Sequence, residues 1–217
     1  MNILTEQYRL PDIVRREIDR DFSRENVTFA AGAAIPLCAV VGRVTKGEPV
    51  AAAVQGNTGN GVVAGVALGV LAEVGIYTLE CATAVAGSGI FHVLSPSGLR
   101  LEDLVVGASY ASPHLALTLG DGAVDFAVGD AFTITVPAGS GKCKLLAPAA
   151  VDGTQAAAGI SIAAYDASTV DIRGVIISRD AVVISNRLSW PVGITAPQKT
   201  QALAELAALG FKLSTGV

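Results

Sequence analysis

The sequence predicts a mainly β protein in which a second module interrupts the first. Three observations carry this. The chain has 217 residues, 51% hydrophobic but only 5% aromatic, a length that admits one domain or two small ones. Its 24 glycines, set among many Ala and Val, suit short strands and tight turns. Charge is also unevenly spread. Residues 47–139 hold Glu48, Glu73, Glu80, Glu102, Asp103, Asp121, Asp125 and Asp130 against Arg100 alone, whereas the flanking sequence mixes both signs. A block of that kind marks a separate module.

Taken in order, residues 1–25 form a charged N-terminal arm. Pro11 suits a first helical turn and Asp12 its positive end. Leu10, Val14, Ile18 and Phe22 recur every four residues, and Asp12–Arg16 and Arg15–Asp19 fall at i,i+4. The spacing predicts a short amphipathic helix, marginal alone. It either packs on its own domain or docks on a partner. From Asn26 to Val44, Gly32 and Pro36 divide short strands.

In the acidic block, strand-like runs cover Val62–Val70, Ile76–Cys81, Ile90–Leu94, Leu115–Leu119 and Phe132–Val136, separated by Gly- and Asp-rich turns. This spacing predicts a small β-sandwich. Within "FTITV", Phe132, Ile134 and Val136 alternate with Thr133 and Thr135, as a half-buried strand requires. Strands resume at Ala158–Ala163, Val170–Ile177 and Ala181–Ile184. The best-marked helix follows. Thr195 and Gln198 form a capping box, Pro197 lies in the first turn, Leu203, Leu206 and Leu209 supply apolar contacts, and Gly210 supplies the stop.

Several function classes are excluded. Net charge is −4 with no basic stripe, which argues against nucleic acid. Glu6, Arg9 and Asp12 precede any apolar run, so no signal peptide is expected. Val62–Leu71 is too short and glycine-rich to span a bilayer. Cys38, Cys81 and Cys143 read as reduced, buried residues of a protein made in a cytosol. His92 and His114 lack ligand partners at metal spacing, and no nucleophile elbow accompanies them. Asp121, Asp125 and Asp130 are too sparse for a calcium loop and read as turn formers. Gly139-Ser140-Gly141-Lys142 suggests a phosphate loop, but Val136 stands where its first glycine belongs and Cys143 where Ser or Thr belongs. No enzyme, cofactor or metal follows.

Reading across residues 47–139 gives that glycine loop another meaning. "CAVVGRVTK" then runs into "SGKCKLLAPAAVDG", and Val40–Val44 faces Cys143–Leu146 as a hairpin. Gly139–Lys142 becomes the exit of an inserted domain, at a loop tip where insertion is tolerated.

With those residues set aside, the chain resembles the lambda-type head decoration proteins of tailed bacteriophages. "DFSRENVT" (Asp21–Thr28), "IPLCAVVGRV" (Ile35–Val44), "DGTQAAAGI" (Asp152–Ile160), and "LSWPVGIT" with "LAALGFKL" carry the likeness, over residues 21–46 and 140–213. The resemblance implies a β-clip-like decoration core, residues 26–46 and 140–217, with one C-terminal helix. Residues 1–25 would be its capsid-binding arm and 47–139 an inserted acidic β-sandwich-like domain. It further implies a homotrimer, made in the bacterial host cytoplasm, that sits on the outer surface of the expanded head at local three-fold sites. There it bridges subunits of the major capsid protein against the pressure of packaged DNA, without nucleic-acid or membrane partners. The candidate arm contacts are Asp21, Phe22, Ser23, Arg24, Glu25 and Val27, pairing as strand or helix. Trp190 and Pro191 are either a trimer or capsid contact or a core anchor beneath the helix. The alternative function is recognition, with residues 47–139 displayed to bind a host surface, a glycan or another phage protein.

Overall fold

A computed structural model describes residues 8–215 and is mainly β. The chain divides into two compact units, one from both ends of the chain, up to Thr45 and from Gly141, and one from Lys46–Ser140. In chain order the first unit begins with α1 (Leu10–Ile13), β1 (Val14–Glu17), α2 (Arg20–Ser23), β2 (Arg24–Phe29), β3 (Ala33–Ile35) and β4 (Val40–Arg43). The second holds β5 (Val50–Ala53), β6 (Val62–Leu68), β7 (Gly75–Val85), β8 (Ser88–Leu94), β9 (Leu104–Val105), β10 (Ser109–Ala111), β11 (Leu115–Gly120) and β12 (Ala131–Val136). The first unit closes with β13 (Cys143–Leu145), β14 (Ala157–Ser161), β15 (Tyr165–Ala167), β16 (Ile172–Ile177), β17 (Ala181–Ile184), α3 (Ala196–Ala208) and β18 (Lys212–Ser214).

In the first unit, β13, β2, β16, β14 and β4 close a barrel. Alternation along its strands feeds two cores. Val41, Ile176, Val27 and Phe29 join Ile35 and Ala167 in one. Val40, Ile177 and Ile160 join Ile13, Val183, Leu206 and Phe211 in the other. The hairpin read across the acidic block is present: Cys143 pairs Arg43 and Leu145 pairs Val41, antiparallel. Flanking the barrel is a three-stranded sheet ordered β1-β17-β18.

Helix α3 has the expected ends. The Thr195 amide donates to Gln198 Oε1 at 2.9 Å, and the Gln198 amide donates back to Thr195 Oγ1. Gly210 sits at φ +87°. There its amide reaches Ala207 O at 3.0 Å and Phe211 N reaches Leu206 O at 3.1 Å, a Schellman closure. One reading is corrected: Leu206 is buried, but Leu209 is 37% exposed. The C-cap position turns its side chain off the apolar stripe, and Ala202 takes its place in the core.

In the second unit, a five-stranded sheet (β5-β12-β7-β8-β9) and a three-stranded sheet (β10-β11-β6) share one core. Tyr77, Leu79, Phe91, Phe132 and Ile134 from the larger meet Leu115, Leu117 and Leu119 from the smaller. Phe132, Ile134 and Val136 point inward as the alternation requires.

The helical arm is a second correction. Residues 10–23 run as two single helical turns separated by β1. Val14 is 8% exposed, while Ile18 and Phe22 are 69% and 55% exposed. The four-residue period therefore does not define one face. Pairing of β1 with β17 wins because a short helix is marginal without tertiary support.

Candidate docking surface

The N-terminal segment is tied into the first unit from its first turn. Arg9 N donates to Asp12 Oδ2 at 2.9 Å, and Arg187 Nη1 donates to Asp12 O at 3.0 Å. Ile13 and Val14 enter the core. The register of β1 on β17 shifts between Val14↔Val183 and Arg16↔Val182, so Arg15 is the extra residue of a β-bulge. A bulge bends the strand and re-aims side chains. Arg15 and Arg16, which would face opposite ways on a regular strand, consequently line the same groove.

That groove, about 370 Å³, has Leu10, Pro11 and Val14 as its apolar part and Arg15, Arg16, Glu17, Arg20 and Arg24 as its charged part. Arg24 grips Glu17 through Nε at 2.7 Å and Nη2 at 2.8 Å. The bidentate contact raises the Arg24 pKa further above its ordinary value and pairs Glu17, the one acid lining the groove among the described residues. Asp19 is used elsewhere: it accepts from the Asp21 and Phe22 amides at 2.8 and 3.2 Å. Arg15, Arg16 and Arg20 are exposed. Among the described residues β1 has a strand partner on one side only.

The expected arm contacts fall into two groups. Asp21 and Phe22 are exposed, with the Arg179 guanidinium 5.4 Å from the Phe22 ring centroid. Ser23, Arg24, Glu25 and Val27 face their own chain. Ser23 is fully buried; its Oγ donates to Asp180 O at 3.1 Å, and its carbonyl accepts from Ser178 N. Glu25 pairs with Arg43 at 2.8 Å, and Val27 is buried. Strand β2 pairs with β16 along its whole length and with β13 at Phe29 alone. Removing residues 1–25 would also remove buried Ile13, Val14 and Ser23. Residues 1–7 of the expected arm lie outside the described residues.

Trp190 is half-buried and, like Leu203 and Ile194, packs against the core. Lys199 Nζ lies 5.9 Å from its ring. Flanking bonds hold the segment, with Ser189 N donating to Cys38 O at 2.9 Å. Pro191 is half-buried, whereas Val192 is fully exposed.

Other polar clusters are structural. Buried Asp130 accepts from the Thr58, Gly59 and Ala127 amides at 2.8, 2.8 and 3.0 Å. Burial alone would raise its pKa, but these three donors outweigh it and hold the carboxylate below its usual range. Asp125 accepts from Gly87 N. His92 contacts Asp103 and Arg100, and buried His114 meets the Tyr77 hydroxyl at 3.3 Å. Cys38, Cys81 and Cys143 are free and buried, and burial pushes the Cys38 thiol up to about 12. Among the described residues no group of three or more His, Cys, Asp or Glu is placed to hold a metal. No helix among them is long and apolar enough to cross a membrane.

The sequence reading missed Arg15, Arg16 and Arg20 as a set. Their clustering depends on the bulge, which no local motif announces.

A family model described as bacteriophage lambda head decoration protein D matches residues 3–95 and 91–211. No curated protein sequence matches the chain. Two crystal structures of Xanthomonas campestris FlgL, in space groups H3 and C2, align over 50% of this chain at 18% identity and a TM-score of 0.33. The alignments cover 34% and 33% of those chains, so this chain spans about a third of their length. At that TM-score the likeness carries no argument.

Proposed function

The chain belongs to the bacteriophage lambda head decoration protein D family, so its role is decoration of the phage head, and we propose that it acts as a cement. In this reading three copies assemble at each local three-fold site on the outside of the expanded head. They bridge neighbouring capsid subunits and resist internal pressure. Three docking segments engaging at once raise apparent affinity well above that of one. The family match, which runs through both parts of the first unit, is the observation that carries the proposal. The N-terminal segment with exposed Asp21 and Phe22 faces the capsid. Trp190 anchors the core and leaves Pro191 near a subunit contact.

Residues 47–139 are, in the same reading, an inserted domain displayed outward. One observation favours a recognition role for them. The loops at residues 54–61, 85–88 and 120–130 are stitched together: Asn60 N donates to Val124 O and Gly87 N to Asp125 Oδ1. They still leave Val54, Val85, Val124 and Val128 exposed. A pre-ordered loop cluster loses little entropy on binding. Tyr77, Phe91, Tyr110, Phe126 and Phe132 are all buried, so no aromatic ring of this unit is offered for stacking on a sugar. A protein ligand therefore suits it better than a glycan.

The test is co-sedimentation of the purified protein with expanded capsids lacking decoration, followed by mild heating. The expected result is saturable binding and protection from rupture. Binding without protection would leave a decoration protein that is not a cement.

A further inference from the structure

We propose that the loop cluster of the second unit docks a protein segment bearing Lys or Arg. Val54, Val85, Val124 and Val128 are its apolar contacts, and Asp121 and Asp125 supply the counter-charge. The proposal deepens the recognition reading of residues 47–139 by naming the chemistry of the partner, and its use in the virion rests on their outward display.

The first argument is position. The chain enters and leaves this unit side by side, where Lys46 bridges Ala138. Val50 pairs Thr135 near that end, and Ala53 pairs Phe132 away from it. On the facing sheet, Leu68 pairs Leu115 and Val62 pairs Gly120. Loops 54–61, 85–88 and 120–130 therefore join strand ends on the side opposite the attachment. Sandwich domains use such end loops to meet their partners.

The second argument is that the cluster is already built. Asp130 ties together the Thr58, Gly59 and Ala127 amides. Asn57 exchanges two bonds with the Ala131 main chain, its Nδ2 donating at 2.7 Å and its Oδ1 accepting at 2.8 Å. Asn60 does the same with Val124, its amide donating at 3.3 Å and its Oδ1 accepting at 3.0 Å. Gly87 N donates to Asp125 Oδ1 at 2.8 Å, which ties the turn holding Val85 to the loop holding Val124. All four valines nevertheless stay exposed. Loops held in this way need little ordering on binding, and apolar side chains held in water on them are a ready contact.

The third argument is charge. Arg100 is the only Lys or Arg of residues 47–139. It pairs with Asp103 at 2.9 Å and bridges Leu94, at the end of β8 away from the 85–88 turn. Asp121 and Asp125 are exposed at the cluster and have no such cation beside them within this unit. A Lys or Arg on the partner supplies it, arginine in bidentate geometry, and the acidic field of the unit steers it in. The same field opposes a second copy of this unit and any polyanion.

The experiment selects a randomised peptide library on the purified full chain, with the Val85→Ser, Val124→Ser double variant as counter-selection. Enriched peptides are expected to carry Lys or Arg beside aliphatic residues. Fluorescence anisotropy then measures their affinity. It is expected to fall about tenfold when either valine is replaced and about threefold in Asp121→Asn. It is also expected to weaken as salt rises from about 50 to 500 mM, with the melting temperature of each variant unchanged. If the double variant does not fold, the single variants decide. Enriched peptides without Lys or Arg, basic peptides that bind the valine variants as tightly as wild type, or a library that yields no binder would each overturn the proposal. Self-association of the full chain that is lost in the valine variants would overturn it too, by assigning the cluster to a second copy. An enriched peptide is finally offered to decorated capsids, where retention is expected. Binding to the free chain but not to decorated capsids would leave this site standing and overturn the outward display.

Discussion

Arg24 holds Glu17 with two parallel hydrogen bonds, Nε to Oε2 at 2.7 Å and Nη2 to Oε1 at 2.8 Å. The pair joins the end of β1 to the start of β2 around the intervening turn. Its side chains are only 25% and 11% exposed, so it is shielded relative to a surface ion pair. Removing one partner leaves the other charge partly desolvated. Arg24→Ala and Glu17→Ala are each expected to lower stability by about 1.5–3 kcal/mol. A double-mutant cycle by chemical denaturation checks this. A coupling near zero would show that the two residues act independently.

What was legible in the sequence follows the range of the signals. Helix α3 was readable to its caps because Thr195, Gln198, Pro197 and Gly210 act within a turn of the residues they specify. Strands β7, β8, β11 and β12 were readable where apolar residues alternate. Strand β5, "VAAA", was not, since Ala51 packs inward among other alanines without contrast. The N-terminal segment misled because Leu10, Val14, Ile18 and Phe22 carry a helical period. The choice between helix and strand there lies with β17, more than 160 residues away in sequence. The arginine groove was illegible for the same reason. Its members meet only after β1 has taken a bulged register on a distant strand.

Thr195 tests how much a local signal contributes. Its hydroxyl caps the Gln198 amide and its own amide is capped in return. Thr195→Ala is expected to cost about 1 kcal/mol, because helix α3 covers the core through Ala202 and Leu206. A thermal melt of the purified variant measures it. A melting temperature equal to wild type would mean that packing alone positions the helix.

Asp130 makes the second unit sensitive to acid. Its carboxylate has a folded-state pKa below the unfolded value. The stability it contributes is therefore present at neutral pH, above the unfolded pKa, and is lost as pH falls through the folded value. Asp130→Asn cannot accept on both oxygens and leaves at least one of the three amides facing an NH2 group. The expected cost at pH 7 is on the order of 2 kcal/mol, shrinking as the pH is lowered and the wild type loses its own advantage. Denaturation of both proteins between pH 7 and pH 3 reads this out. A constant difference across that range would assign the effect to packing.

Excision of residues 47–139 is the sharpest test of a division of labour along the chain. Val44 N donates to Lys142 O, and Gly141 N donates to Val44 O, both at 2.9 Å. Joining Lys46 to Ser140 would leave Thr45, Lys46 and Ser140 as a short loop across this closed pair. Gly141 already sits at φ +69°, the left-handed conformation of a glycine that opens a bulge at the end of a hairpin loop. The shortened chain is therefore expected to fold with the β4–β13 hairpin intact, to melt cooperatively and to bind undecorated capsids as the full chain does. Circular dichroism and co-sedimentation measure these outcomes separately. A variant that folds but no longer binds would place a capsid contact within residues 47–139, and the outward display proposed for them would fall.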